Sequence, residues 1–327
     1  MNRLRAAGCK IVLATVLGGA HVVAYAQSDY PNRTVKIVVP VPPGPTADLL
    51  PRILADRLAL AWKQPVIVEN RPGAALNLAA AAVARSIPDG YTLLATPAPP
   101  LVINEHLYAK LGFDPNGFVP VSVLAQASNV LVVNPNVPAS TLQELVSYAK
   151  SNPGKLTYAS SGIGSTTHLA MELLKTLTGA EMVHVPYKAS ASALTDLLGG
   201  HVDVMFDNLG NVIGTVRDGK LRILAVGHAK RLETFPNVPA LTEYFPGFIS
   251  TSWFALVAPP GTPAEISVNV SSTVAKIVRQ PEVAKRIQEM FLIPVAGTPE
   301  EAAEFIGEER KRWRKVIDAA KIKVDDP

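Results

Sequence analysis

The twelve residues from Tyr158 to Leu169, YASSGIGSTTHL, concentrate hydroxyls, glycines and one histidine where a short apolar strand breaks into a turn and a helix follows at once. Such a turn aims backbone N–H groups, hydroxyls and the positive end of a helix at one small volume, which suits a carboxylate or a phosphate. A plain capped turn between strand and helix would use the same residue types, so this segment alone leaves both readings open. A second turn of the same kind follows the first strand: VPVPPGPTADLL, Val39 to Leu50, holds a rigid extended loop with Pro42, Pro43, Gly44 and Pro45 before a helix with Thr46 or Asp48 as its expected cap. Prolines leave few donors, so polar contact there must come from Gly44 N–H, Thr46 or the amides that follow. In open parallel sheets ligands sit outside the carboxyl ends of the strands. Both turns lie at such ends, and facing each other across a cleft they would clamp a small ligand from two sides.

Four further places carry chemistry-bearing side chains. Asp207 ends the apolar run VDVMFD and is expected either to meet a ligand donor or to cap its strand; His168 is expected either to donate to an anion or to be a satisfied buried histidine. Trp253 and Phe254 are expected to pack at a crossing between lobes or else to line the cleft, and Arg71 to reach the cleft rim or to brace its own loop. Ser161, His168 and Asp207 supply the residue types of a hydrolytic triad, but no G-x-S-x-G elbow is present and His168 lies too near the serine in the chain. Gly162 and Gly164 begin a G-x-G whose third glycine position is Thr167, and Walker A, H-E-x-x-H and EF-hand patterns are absent. The expectation is a binding protein with no metal and no cofactor.

Arg3, Arg5 and Lys10 precede an apolar stretch from Ile11 to Ala24, and Ala24-Tyr25-Ala26 forms a small-x-small cleavage site, so residues 1–26 read as a secretory signal and Gln27 as the mature start. Cleavage takes Lys+Arg from 31 to 28 against 27 Asp+Glu and the net charge from +4 to +1, which leaves no basic tract suited to nucleic acid. Cys9, the single cysteine, lies in the leader, so the mature chain holds no disulfide, cysteine-bound zinc or thiol nucleophile. A soluble periplasmic protein is expected.

Beta-branched runs alternate with helix-period segments, as they do in an α/β chain. Strands are expected at 34–41, 65–70, 91–96, 119–125, 129–134, 155–160, 181–187, 202–207 and 221–227, most of them in parallel sheets. Leu50, Ile53, Leu54, Leu58 and Ala61 fall on one helical face, and Ser140 with Gln143 suggests a capping box. The chain turns helical after Pro259, with segments at 263–279, 281–291 and 299–321. Crossings near 125–131 and 250–259 divide it into a first lobe, 27–127 plus 252–327, and a second, 128–251.

The chain resembles the Bug family of periplasmic solute receptors, the extracytoplasmic component of tripartite tricarboxylate transporters. The resemblance rests on the Pro-Pro-Gly loop ending at Asp48, VENRPGA, PDGYTLL, YASSGIGSTTHL, HVPYK, LTDLLGGHVDVMFD, AKR, WF and APPGTP, in that order. It implies a two-lobed Venus-flytrap fold, each lobe a Rossmann-like, mostly parallel sheet flanked by helices, with no catalysis. It also implies small organic-acid ligands, a monomer, and membrane permease subunits as partners; a sensor kinase is the alternative partner, and hydrolysis by Ser161 a distant third reading. Carried over residue by residue, the ligand-binding positions are Pro42, Gly44, Thr46 and Asp48 on one lobe and Ser161, Gly164, Ser165, Thr166 and His168 on the other, with Asp207 beside them. Pro45, Ala75, Leu76 and Ala189 stand where the family usually has glycine, and TPAPPLVINEHLY is unusually apolar, so a ligand with an apolar or aromatic body is expected.

Overall fold

The computed structural model describes residues 30–322; the leader, Cys9, the cleavage site and Gln27 lie outside the described residues. Two sheets share one long strand. In chain order the first contains β1 (Val35–Val39), β2 (Val66–Asn70), β3 (Thr92–Pro97) and the front of β4 (Val119–Val133), with β1 between β2 and β3; the second contains the back of β4, β5 (Thr157–Ser160), β6 (Val183–Pro186), β7 (Val204–Asn208) and β8 (Arg222–Val226), with β7 between β4 and β5. β9 (Thr251–Ala258) and β10 (Leu292–Pro294) return the chain to the first sheet. The helices are α1 (Thr46–Trp62), α2 (Asn77–Ala84), α3 (Leu142–Ser151), α4 (Thr166–Thr178), α5 (Ser190–Gly199), α6 (Leu209–Arg217), α7 (Ala264–Val278), α8 (Pro281–Glu289) and α9 (Pro299–Ala320).

The class is the expected one, α/β with two lobes, yet parallel pairing is confined to the flanks. β1 pairs parallel with β2 and β3, and β5 with β6 and β7, whereas β4 is antiparallel to β7, β8, β9 and β10, and β3 to β9. Strand–helix–strand crossovers impose parallel order only on the strands they join; in the first sheet β9, which returns from the other half of the chain, runs opposite to β3 and β4, and in the second sheet β4 runs opposite to β7 and β8. The two strands expected at 119–125 and 129–134 are one 15-residue strand. It stays extended through polar Gln126, Ser128 and Asn129 because it is paired along its length, Val119–Ser128 with β9 and Asn129–Val133 with β7.

Leu50, Ile53, Leu54 and Leu58 bury the inner face of α1 as their spacing requires, but Ala61 is exposed at the helix end. α3 begins one residue later than expected: Thr141, not Ser140, caps it by accepting Glu144 N–H at 3.1 Å, and Ser140 N–H donates to Glu144 Oε2 at 2.6 Å. Glu144 rather than Gln143 completes the pair because its carboxylate is the better acceptor at a helix N-terminus. α9 carries a full capping box between Thr298 and Glu301. Its Glu309 accepts from Trp253 Nε1 at 2.8 Å, Trp313 Nε1 at 3.1 Å and Arg312 Nη2 at 2.6 Å, so Trp253 packs the crossing, fully buried.

Candidate functional site

β5 and β1 both end where a helix begins, which puts the two expected turns at carboxyl ends of parallel strands. In the first turn Asp48 is not a cap. Pro45 occupies the N-cap position of α1 without a side-chain bond, and the Asp48 carboxylate, 1% exposed, folds back into the loop. It accepts Gly44 N–H at 2.9 Å, Arg52 Nε at 3.0 Å and Asn70 Nδ2 at 2.7 Å, while Arg52 Nη2 also reaches Asn70 Oδ1 at 2.7 Å. Burial pushes the Asp48 carboxyl up, but the bonds from Arg52, Asn70 and Gly44 together hold it below the usual carboxylate range. Gly44 N–H, expected to face a ligand, is thus engaged inside the loop. Pro42 and Gly44 remain exposed and Thr46 half-buried at the mouth. Arg52, one helical turn after Asp48, was legible as an i,i+4 partner; Asn70 was not, because it comes from the neighbouring strand.

The second turn is organised by hydroxyls whose protons can be traced. Ser165 caps α4, accepting His168 N–H at 3.2 Å, and donates its one proton to Gly162 O at 2.8 Å. Thr167 must then donate to Ser165 across 3.0 Å, and Ser161 to Thr167 across 3.2 Å. Thr166 lies 2.7 Å from Ser252 Oγ, which itself donates to Asn129 Oδ1, so Thr166 is the donor in that pair. Ser161 and Thr166 each head their chain of donors, and of the two Ser161 is half-buried while Thr166 is buried. Among the described residues no group accepts the N–H of Thr166 or Thr167. Two first-turn amides without an acceptor, the half-buried Ser161 hydroxyl and the positive end of the helix thus lie together at the start of α4.

Behind it stands a column of rings. His168 and His184 stack with centroids 4.2 Å apart, and His184 stacks on Tyr158 at 4.6 Å. Gly164 N–H donates to His168 Nδ1 at 3.2 Å, and His184 Nε2 lies 2.7 Å from Ser160 Oγ, so each imidazole holds one part of the turn. Burial, aided by the neighbouring imidazole, pulls the His168 pKa down to about 3, and burial takes His184 to about 4. Both rings are neutral, and His168 serves the turn as an acceptor. Because these values lie below the ordinary 6.5, neutral burial stabilises the fold fully above about pH 6.5 and this contribution is lost as pH falls towards 4. Urea unfolding from pH 7 to 5 is expected to show up to about 1.4 kcal/mol lost per pH unit per histidine, and His168→Gln to remove its share of the slope. Equal slopes in both proteins would count against this account.

Asp207 sits apart, at the end of β7. It is 2% exposed, accepts Asn208 N–H at 2.7 Å and Asn211 Nδ2 at 2.9 Å, and is also bonded by Ser190 Oγ. Burial raises its pKa, opposed by these three neutral donors. Among the described residues no hydrogen bond joins Asp207 to the Ser-Ser-Gly turn, or that turn to the loop at 42–48. Arg71 pairs with Glu69 instead of reaching the rim.

The apolar run after β3 is mostly core: Leu101, Val102 and Ile103 are buried in one cluster with Trp253 and Trp313. Its end, however, meets the anion turn, since a methyl placed on Gly164 would lie 2.6 Å from Leu107 Cδ1 and 3.8 Å from Ile103 Cγ2. The glycine replacements after VENRPGA are visible as strain. Ala74, Ala75 and Leu76 hold φ of 48°, 50° and 73°, where a Cβ is costly. Asn104, unanticipated from the sequence, secures that loop through Ala75 O at 2.9 Å and Asn77 Oδ1 at 2.7 Å.

A family profile described as tripartite tricarboxylate transporter family receptor matches residues 50–322. The chain belongs to this family. The receptor is 35% identical over 310 residues to Protein BugT of Bordetella pertussis, covering 94% of this chain and 95% of that one. Among solved structures, Rpa4515 of R. palustris with adipate is 37% identical with a TM-score of 0.83, covering 90% of this chain and all of its own. MatC from Rhodopseudomonas palustris with bound malate is 31% identical with a TM-score of 0.79, covering 88% and 100%. A receptor of this family binds solute and is not an enzyme, and the geometry agrees: Ser161 bonds Thr167, and His168 Nδ1 accepts from Gly164, so the triad residue types form no relay.

Proposed function

We propose that this receptor captures a small carboxylate between its lobes in the periplasm and delivers it to the permease subunits of a tripartite tricarboxylate transporter. The observation that carries the reading is the pair of unaccepted amides at Thr166 and Thr167 beside the Ser161 hydroxyl, a seat whose donors suit a carboxylate. Adipate and malate in related structures support that ligand class. Ser161, Gly164, Ser165, Thr166 and His168 build this seat, and Pro42, Gly44, Thr46 and Asp48 shape the facing loop, whose first helical amides complete the clamp. Asp207 holds the start of α5 and α6 at the same edge. The lobes are 27–127 with 252–327 and 128–251; the switch of β4 from β9 to β7 after Ser128 supports that boundary. Export follows from the leader at 1–26. Ligand closes the lobes only through contacts it gains in the closed state.

Thermal unfolding of the mature protein from Gln27, screened against dicarboxylates, aromatic acids and amino acids, tests the reading. A melting temperature that rises with ligand concentration for a carboxylate class is expected; at a hundredfold excess over Kd the gain is about 2.7 kcal/mol. Protein free of carried-over ligand that responds to no carboxylate would overturn it. Leu107 and Ile103 against Gly164 favour ligands with an apolar body, and tighter binding of aspartate or glutamate than of aromatic or aliphatic acids would remove that part.

A further inference from the structure

The anion turn and the crossing between the lobes are joined by an unbroken chain of buried side chains. Thr166 Oγ1 donates to Ser252 Oγ at 2.7 Å, Ser252 Oγ to Asn129 Oδ1 at 3.2 Å, and Asn129 Nδ2 to Ser250 Oγ at 2.9 Å. Asn129 and Ser250 are completely buried, with Thr166 at 7% and Ser252 at 9% exposure. The chain ends on a backbone knot: Asn129 N–H donates to Ser250 O at 3.2 Å, Gly227 N–H to Asn129 O at 2.7 Å, and Ser250 N–H to Gly227 O at 2.7 Å. Its members come from the first residue of α4, from β9, and from the residue of β4 at which the pairing partner changes.

We propose that Ser252 and Asn129 are positioning residues for ligand binding, fixing the first turn of α4 to the strands on which the lobes hinge. Each hydroxyl has one proton, so the order Thr166, Ser252, Asn129 admits one direction of donation, and losing a member strands a buried partner. A buried hydrogen-bonded network of this kind specifies one geometry more than it adds stability. Coupling runs both ways: an anion drawn onto the Thr166 and Thr167 amides pulls on the crossing, and movement of the crossing re-aims the amides. This rests on the reading of the α4 N-terminus as the ligand seat.

The test uses the mature protein and four variants, Ser252→Ala, Ser252→Thr, Thr166→Val and the double variant Ser252→Ala with Thr166→Val. Amide hydrogen exchange without ligand at Gly164, His168 and Leu169, each of which has an acceptor in the turn, is expected to speed about tenfold in Ser252→Ala and Thr166→Val, equivalent to about 1.4 kcal/mol. The double variant is expected to exchange no faster than either single one, and Ser252→Thr, which keeps the hydroxyl, to exchange at the original rate. Calorimetric titration with adipate and with malate is expected to show Kd raised about tenfold in Ser252→Ala and restored in Ser252→Thr. Exchange at the turn that is unchanged in both deletions would overturn the positioning role, as would a lowered melting temperature with Kd and exchange unchanged. Failure of the original protein to bind any carboxylate would instead defeat the proposed function, and the exchange measurement would still decide the relay. Should Ser252→Ala not fold, Thr166→Val cuts the same link at its other end with a side chain of equal shape.

Discussion

Asp48→Ala is expected to cost about 3 kcal/mol of folding stability, read as a lower urea midpoint at unchanged slope. The carboxylate is 1% exposed and answers three donors, Gly44 N–H, Arg52 and Asn70. Arg52 is 41% exposed and can turn to water, which keeps the loss below that of a fully buried pair. Without the carboxylate, Gly44 N–H and Asn70 Nδ2 lose the acceptor that ties the loop between β1 and α1 to β2. The folded variant is therefore expected to bind the cognate carboxylate at least about tenfold more weakly, because the facing amides are no longer pre-aimed. Asp48→Asn keeps an acceptor but not the charge, and is expected to fall between. Since the Asp48 pKa is depressed in the fold, its contribution is full above about pH 4 and fades as pH falls through the folded value. Original stability and affinity in Asp48→Ala would show that the network does not hold the loop.

Gly227→Ala is expected to be as severe for a different reason. A methyl there would lie 2.3 Å from Ser250 O, 2.8 Å from Ser250 Cβ and 3.0 Å from Asn129 O. Two of these are backbone atoms already bound in the knot at the crossing, so no side-chain rotation relieves the overlap. Loss of about 3 kcal/mol or more is expected, with the affinity for whichever carboxylate the thermal screen identifies altered in the fraction that folds, because the same atoms end the chain from Thr166. Gly214→Ala in α6 is the control, since a methyl there meets nothing within 4 Å; it is expected to be neutral or to stabilise by up to about 1 kcal/mol. Equal effects at both glycines would mean that close approach at the crossing is not what Gly227 provides.

The helices and flanking strands were legible because each carries its own periodicity and stop signals. α9 opens at Thr298-Pro299 with Glu301, and α4 opens with Ser165, as their residue types require. Ala61 misled because a small apolar residue on the correct face is exposed at a helix end as readily as it is buried. The site was legible as a turn and not as a network. YASSGIGSTTHL declares a hydroxyl-rich turn into a helix, but whether a hydroxyl faces a ligand or a neighbour depends on which acceptor already holds its proton, and for Thr166 that acceptor is Ser252, 86 residues away.

By itself the sequence determined the α/β class, the positions of both turns and the absence of cysteine after Cys9, because each is written in local spacing and composition, while its ordered motif blocks carried the resemblance to the family. Tertiary structure alone decided the antiparallel centre around β4, the recruitment of Asn70 to Asp48, the stacking of His168 on His184, and the tie from Thr166 to Asn129. Those depend on which distant strand lies alongside and on which partner satisfies each buried donor. Hydrogen-bond saturation and close packing settle such pairings across the whole fold, and no window of sequence contains both partners.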